Sequence, residues 1–287
     1  MKKYIFTFTL ILISNISLFG KNFETGLLWK VTGNDLQQPS YIFGTLHVIC
    51  PDQFIEFPGI DGALENSSRV VLELNLSDPQ VMVGLQMGMV MKDNQELSDI
   101  LDNEEFELVK NYFADSLGMN VNMFARIQPF FLISMALPHM IQCTPKSYES
   151  YFMEQAQLRG MELLGLETLQ EQLNVFDALT YRQQAEMLLE TISQYEEKRN
   201  EFQAMLNHYL SADLKALEKL FEDIESEFDE FSRRLIEERN HRWIERIENL
   251  MKEDATFFAV GAGHLPGEHG VLKLLKERGF DIEKVTE

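Results

Sequence analysis

Two short segments of the chain repeat one arrangement. Tyr41-Ile42-Phe43 runs into Gly44-Thr45-Leu46-His47, and Phe257-Phe258-Ala259-Val260 runs into Gly261-Ala262-Gly263-His264. Each is an apolar, strand-like run followed by Gly-x-x-His. A glycine where a strand ends lets the backbone approach a ligand closely, and open α/β sheets bind ligands beyond the carboxyl ends of their strands. A single Gly-x-x-His says little. Two of them, in a chain with six His, predict that His47 and His264 meet in one pocket. His139, His208 and His241 fall on helical segments and read as structural. His269 reads as exposed, or as a group supporting His264.

Two carboxylates lie in apolar strand contexts. Glu73 interrupts the β-branched run of residues 69–76, and Glu167 follows Leu163-Leu164-Gly165-Leu166. A buried carboxylate needs a partner, a metal or a proton. Glu167 has a second reading, as a charge at the start of the next helix. Two imidazoles with one or two carboxylates suit a divalent cation such as Zn²⁺ or Mn²⁺ that keeps an open position, and such a cation acidifies water for hydrolysis. Whichever of Glu73 and Glu167 is not a ligand would then be the general base. In an acidic helical stretch, Glu238-Arg239-Asn240 stands out. Arg239 reads either as half of an i,i+4 ion pair or as the cation that meets an oxyanion. Gly-x-Ser-x-Gly and His-Glu-x-x-His are both absent from the sequence, so serine-hydrolase and zincin readings have no support. Gly261-Ala262-Gly263 imitates a dinucleotide loop, but Pro266 stands where the third glycine belongs.

These residues need strands to hold them. Residues 27–31, 40–43, 69–76, 161–165, 256–260 and 280–285 read as strands, and the turn Gly33-Asn34-Asp35 separates the first two. Between them lie two helical tracts, residues 79–160 and 169–253. The first includes a Met-rich stretch, residues 80–91, that reads as a core helix rather than a flexible partner-binding face. The second carries an apolar stripe of Leu214, Leu217, Phe221, Ile224, Phe228 and Phe231, continued by Leu235, Trp243, Ile247 and Leu250. The predicted fold class is α/β (α+β): a central sheet built from both ends of the chain around a large helical insert.

The charge balance is strongly acidic, 46 Asp+Glu against 25 Lys+Arg for a net charge of -21. Such a surface repels phosphates and anionic headgroups, so nucleic acid and membrane surfaces are not expected partners. Met1-Lys2-Lys3, then an uncharged apolar run from Tyr4, then Ser14-Asn15 and Gly20, outline a signal peptide over residues 1–20. The expected location is therefore periplasmic or extracellular. Residues 127–145 are uncharged but hold Pro129 and Pro138, and read as a buried helix started by Pro129 rather than a membrane span. Cys50 and Cys143 are the two cysteines. In an oxidising compartment they can form one disulfide; the other reading is two buried thiols.

Several motifs together carry a resemblance. Leu28-Trp29-Lys30-Val31, Tyr41-Ile42-Phe43-Gly44-Thr45-Leu46-His47, Val71-Leu72-Glu73-Leu74, Gly165-Leu166-Glu167-Thr168 with Gln172, Glu238-Arg239-Asn240 and Val260-Gly261-Ala262-Gly263-His264-Leu265-Pro266-Gly267 resemble the TraB/GumN family in order and spacing. That family is similar to the metal-dependent TIKI proteases and to the erythromycin-esterase and haem-binding ChaN-like fold. The resemblance implies one domain over residues 21–287 and an active site at the two Gly-x-x-His motifs. His47, Glu73 and His264 would hold a divalent metal (Mn, Co or Zn). Glu73, Glu167, Arg239 and Asn240 would serve the chemistry, with a peptide or protein as substrate. The rival is a non-catalytic module that captures a peptide or haem in the same crevice.

Overall fold

All six predicted strands form and join a single sheet in the computed structural model, which describes residues 23–225 and 229–286. They are β1 (Leu28–Gly33), β2 (Ser40–Thr45), β3 (Arg69–Leu72), β4 (Glu162–Gly165), β5 (Thr256–Gly261) and β6 (Phe280–Lys284). Their order across the sheet is β4-β3-β5-β2-β1-β6. The pairs β4–β3, β3–β5 and β5–β2 are parallel, whereas β1 runs antiparallel to both β2 and β6. The mixed α/β class is as expected. The predicted signal peptide, residues 1–20, lies outside the described residues, as does Phe228 of the apolar stripe.

Composition explains which strands are central. Val70, Val71 and Leu72 of β3, Ile42 and Phe43 of β2, and Phe257, Phe258 and Ala259 of β5 are all buried. Adjacent residues on a strand point to opposite faces, so these strands are covered on both sides and show no polar alternation. The edge strand β4 is only partly buried. Trp243, Ile244, Ile247 and Met251, on one face of the helix Glu237–Glu253, pack into the sheet's core. Trp243 and Ile247 belong to the stripe read in the sequence, whereas Ile244 and Met251 join them at helical spacing and Leu250 is only partly buried.

The helical insert keeps a second apolar cluster, with Val109, Phe113, Leu132 and Leu188 buried. Pro129 does start a helix, Pro129–Ile141, where the missing N–H costs nothing. Among the described residues no helix is long and apolar enough to cross a membrane. The Met-rich stretch differs from its reading as a core helix. Pro79–Gly88 buries none of its residues, and Met82 and Met87 are exposed. Gly84 and Gly88 instead receive Leu169 and Leu173 of the helix Leu169–Phe176 so closely that an added Cβ would stand 2.4 and 2.3 Å from them. A short helix, Ile60–Glu65, forms where none was predicted.

Cys50 and Cys143 form a disulfide that closes a separation of 93 residues. Beside it Ile49 and Lys146 exchange backbone hydrogen bonds of 3.0 and 2.8 Å. The loop leaving β2 is thereby laced to the segment that enters the helix Tyr148–Arg159.

Candidate active site

Register alone brings the two Gly-x-x-His motifs together. Parallel pairing sets Thr45 against Gly261, with Gly44 against Val260. The two strands therefore end side by side, and His47 and His264 leave from the same edge of the sheet. On the other flank of β5, β3 ends at Leu72 opposite Ala259, which delivers Glu73 to that edge. Next comes β4, whose end leads to Glu167: the Glu167 N–H donates to the Glu73 carbonyl at 3.1 Å. Four neighbouring strands thus present Glu167, Glu73, the Gly261 turn and His47 in a row.

Arg239 joins the two acids. It rises from the helix Glu237–Glu253 and is 3% exposed. Its Nη2 donates to Glu167 Oε1 at 2.6 Å and to Glu73 Oε2, and its Nε donates to Glu167 Oε1 at 3.1 Å. Its Nη1 points to His264 Nε2 at 3.1 Å. One guanidinium therefore serves two buried carboxylates, an arrangement its planar fork suits and a lysine ammonium does not. Trp243 Nε1 donates to Glu167 Oε2 at 3.3 Å, and the Arg239 guanidinium lies 4.7 Å from the Trp243 ring centroid.

The two carboxylates are not equivalent. Burial alone would raise the Glu73 pKa. The Arg239 charge, the facing rings of His264 and His47 and the Gly261 N–H at 2.7 Å outweigh it and hold the group well below the usual carboxylate range. Glu167 has only Arg239 and Trp243 against its own burial and the Glu73 charge, and its pKa is pushed up. Its side chain is fully enclosed, at 0% exposure. Both its oxygens are engaged, so it does not meet water, which a general base must.

His264 is buried, which drives its pKa down to about 3 against the pull of Glu73. The ring is neutral, and its neighbours fix the tautomer. Nδ1 donates to Asn240 Oδ1 at 2.7 Å, leaving the lone pair on Nε2 facing Arg239. Asn240 is itself fixed by donating Nδ2 to the carbonyls of His264 and His269 at 3.2 and 2.8 Å. His269 contributes its backbone here, while its ring meets His241 at 3.2 Å. His47 is 65% exposed at its side chain. Burial lowers its pKa, but the charge and hydrogen bond of Glu149 outweigh that and lift it to about 9. Solvent around so open a ring screens part of this pull. His139 packs between Tyr112 and Tyr195, away from this edge.

The residues around Gly261 frame a gap. A Cβ at Gly261 would lie 3.2 Å from Glu73 Oε1, 3.5 Å from His264 Cδ2 and 3.8 Å from His47 Nε2. Two imidazoles and one ionised carboxylate are a donor set that zinc and its neighbours take. Two donors bound at about 2.1 Å and a tetrahedral angle stand roughly 3.4 Å apart, and His264 Nε2 is 3.7 Å from Glu73 Oε1. Each ring also has its Nδ1 engaged, by Glu149 or Asn240, the outer hydrogen bonding that orients metal-binding histidines. The residues fit a divalent cation in kind. They are not gathered around one point: among the described residues no group of three or more His, Cys, Asp or Glu is placed to hold a metal ion. Arg239 meets the His264 lone pair that a cation would need.

A cleft of about 360 Å³ opens beside His47, lined by Phe54, Lys146, Ser150, Tyr151 and Glu154 among others. A larger one, about 540 Å³, lies in the helical insert far along the chain from these motifs. Its Lys92 and Arg182 are already paired, with Asp177 and Glu105. The residue that sequence reasoning missed is Glu149. As an acid in the first turn of a helix capped by Ser147, it reads from sequence as an ordinary complement to the helix dipole.

The sequence pattern of the TraB/PrgY/gumN family matches residues 27–284. The chain is 24% identical to Metalloprotease TIKI2 of Danio rerio over 315 residues, 89% of this chain and 60% of that protein. It is also 24% identical to Metalloprotease TIKI1 of Homo sapiens, over 89% of this chain and 61% of that one. To the Metalloprotease TIKI homolog of Nematostella vectensis it is again 24% identical, over 92% of this chain and 68% of the relative. The chain spans about three fifths of the length of the vertebrate relatives it matches. No solved structure matches it.

Proposed function

Because the chain belongs to the TraB/PrgY/gumN family, we propose that it is an exported, metal-dependent peptidase whose active site is the sheet edge around Gly261. The observation that supports this reading is that Glu73 Oε1, His264 Cδ2 and His47 Nε2 border the same space, 3.2, 3.5 and 3.8 Å from where a Cβ of Gly261 would stand. Named relatives are metalloproteases, which supports a divalent cation (Mn, Co or Zn) and a peptide or protein substrate. Export is supported by the signal-like residues 1–20 and by the Cys50–Cys143 disulfide, which persists in oxidising compartments.

His47 Nε2, His264 Nε2 and Glu73 Oε1 would hold the cation, and His47 would have to give up the proton that Glu149 favours in order to do so. Once bound, it would polarise a peptide carbonyl and activate water. The protein's own contributions follow from its hydrogen bonds. Asn240 keeps the proton of His264 on Nδ1, so the lone pair is on Nε2, where a cation would displace the hydrogen bond from Arg239 Nη1. Glu73, ionised across the physiological range, supplies the negative charge. Glu167 is not the general base expected from sequence. Sealed from water, it holds Arg239 with its guanidinium turned toward the gap, where a positive charge stabilises negative charge developing on a carbonyl oxygen. A peptide lying in the cleft beside His47 would place its carbonyl at that point.

The test is metal analysis of the purified protein with a peptide-library cleavage assay, on the wild type and on His47→Ala, His264→Ala and Glu73→Gln. About one cation per chain, lost together with cleavage in each variant, is the expected result. Absence of metal uptake from Mn²⁺, Co²⁺ and Zn²⁺ alike would overturn it. A haem absorption band lost in the same variants would point to the capture module instead.

A further inference from the structure

Glu149 stands behind His47 and meets the ring nitrogen that the gap does not use. His47 Nδ1 lies 2.9 Å from Glu149 Oε1, and the same oxygen accepts a 2.5 Å hydrogen bond from Thr45 Oγ1. The contrast in exposure matters. The His47 side chain is 65% open to solvent while that of Glu149 is 13%. An open imidazole on a loop would sample several rotamers, and ordering it costs entropy. Something must restrain the ring, and packing does not.

The mount on which Glu149 sits is itself tied down. Tyr148, one residue before it, donates its N–H to the Leu46 carbonyl at 3.4 Å and its hydroxyl to the Ile55 carbonyl at 2.7 Å. Ile49 and Lys146 exchange both backbone hydrogen bonds, and the disulfide joins Cys50 to Cys143. The His47 loop and the first turn of the helix Tyr148–Arg159 therefore form one clamped unit, with links from Leu46 to Cys50. His264 is held in the same manner by Asn240, so each imidazole has its own restraint at Nδ1.

We propose that Glu149 is a positioning residue: with Thr45 and the clip made by Cys50–Cys143 and Ile49–Lys146, it holds the His47 ring with Nδ1 tied back and Nε2 turned into the gap above Gly261. This assignment rests on the peptidase reading for its consequence, but the orientation of the ring can be measured without it. Partners that orient metal-binding histidines are worth 10–100-fold in affinity or activity.

The experiment uses the full chain in two measurements. Imidazole ¹⁵N NMR of metal-free protein, with His47 assigned by its loss in His47→Ala, reads the proton on Nδ1. Titration with Zn²⁺ and separately with Mn²⁺ reads affinity. In Glu149→Ala the Nδ1–H signature of His47 should disappear, that of His264 should remain, and affinity should fall about 10–100-fold. Glu149→Gln keeps an acceptor oxygen at the same place and should retain most of both. Thr45→Val and the pair Cys50→Ser with Cys143→Ser should shift both readouts in the same direction by smaller factors, and they serve if Glu149→Ala does not fold. Unchanged His47 nitrogen signals in the folded variants overturn the proposal. If the wild type binds neither ion yet Glu149→Ala still frees the ring, the cation reading fails and the positioning role stands.

Discussion

Replacing Gly261 with alanine separates the gap from the fold. The residue has φ -50° and ψ 135°, a conformation any L-residue adopts, so no backbone strain follows. Loss of glycine's freedom in the unfolded chain stabilises by about 0.4–1 kcal/mol. The new methyl meets Glu73 Oε1 at 3.2 Å, tight enough to offset much of that gain, while the Gly261 N–H bond to Glu73 survives the substitution. Net stability should change by no more than about 1 kcal/mol, or roughly 2–4 °C in Tm for a chain of this size. The methyl would occupy the space bounded by His47, Glu73 and His264. A carbon there excludes an ion that must approach each donor to about 2.1 Å. Metal affinity and cleavage should fall at least about 100-fold, which is roughly 2.7 kcal/mol. Differential scanning calorimetry and metal titration on the same sample decide it. A folded Gly261→Ala protein with wild-type affinity and turnover would show that the gap is not where the ion sits. Unfolding would show that the space around Gly261 had been misjudged.

Arg239→Leu should be far more damaging than any surface change, because Glu73 and Glu167 would lose the cation they share; about 3–5 kcal/mol is expected in urea unfolding. Its conservative counterpart Arg239→Lys should recover only part of this, since an ammonium cannot span both acids. Removing the disulfide as Cys50→Ser with Cys143→Ser should cost roughly 4–5 kcal/mol by the loop-closure argument, read as a lower Tm that reducing agent no longer affects. Glu171 is held by Arg246 at a pKa of about 2, below its ordinary 4.5. A lowered carboxylate pKa stabilises the fold above pH 4.5, and that contribution fades as pH falls toward 2. The pair is partly open to solvent, so Glu171→Gln should cost about 1 kcal/mol at pH 7 once screening is discounted. The gap between variant and wild type should close near pH 2; a gap that persists there would mean the loss is not electrostatic.

The strands were legible because their apolar runs are short and bounded by turn residues, and all six formed within a few residues of expectation. The exits of β2 and β5 could be read as well, since Gly44 and Gly261 mark them, whereas β3 ends at Leu72, four residues short of the predicted run. Mixed pairing was not legible: nothing in the composition of β1 or β6 distinguishes an antiparallel neighbour from a parallel one. The Met-rich helix misled because apolar content suggested burial, whereas its contact is made through two glycines that receive leucines. Pattern counting weighs side chains and is blind to backbone used as a packing surface.

The site shows the same boundary between what spacing reveals and what only three dimensions supply. Glu73 and Glu167 attracted notice because a charge in an apolar strand demands compensation. The partner that compensates them comes from a helix more than seventy positions after Glu167, and helical spacing around Arg239 offered surface glutamates as equally good partners. Burial resolves the choice. Arg239, Asn240, Trp243 and Ile247 share the inward face of Glu237–Glu253, so a face that packs apolar residues against the sheet carries its Arg and Asn in with them. That cation is what lets two acids stand beside His264 without repelling each other. It also sets the chief resistance to metal entry, because Arg239 Nη1 and an incoming ion compete for the same Nε2 lone pair. A cation that binds here must draw Glu73 and His264 toward itself by more than it loses in displacing that hydrogen bond. Affinity at this edge is therefore a difference between two electrostatic partners, and it should rise in any folded variant that turns the Arg239 guanidinium toward Glu167 alone.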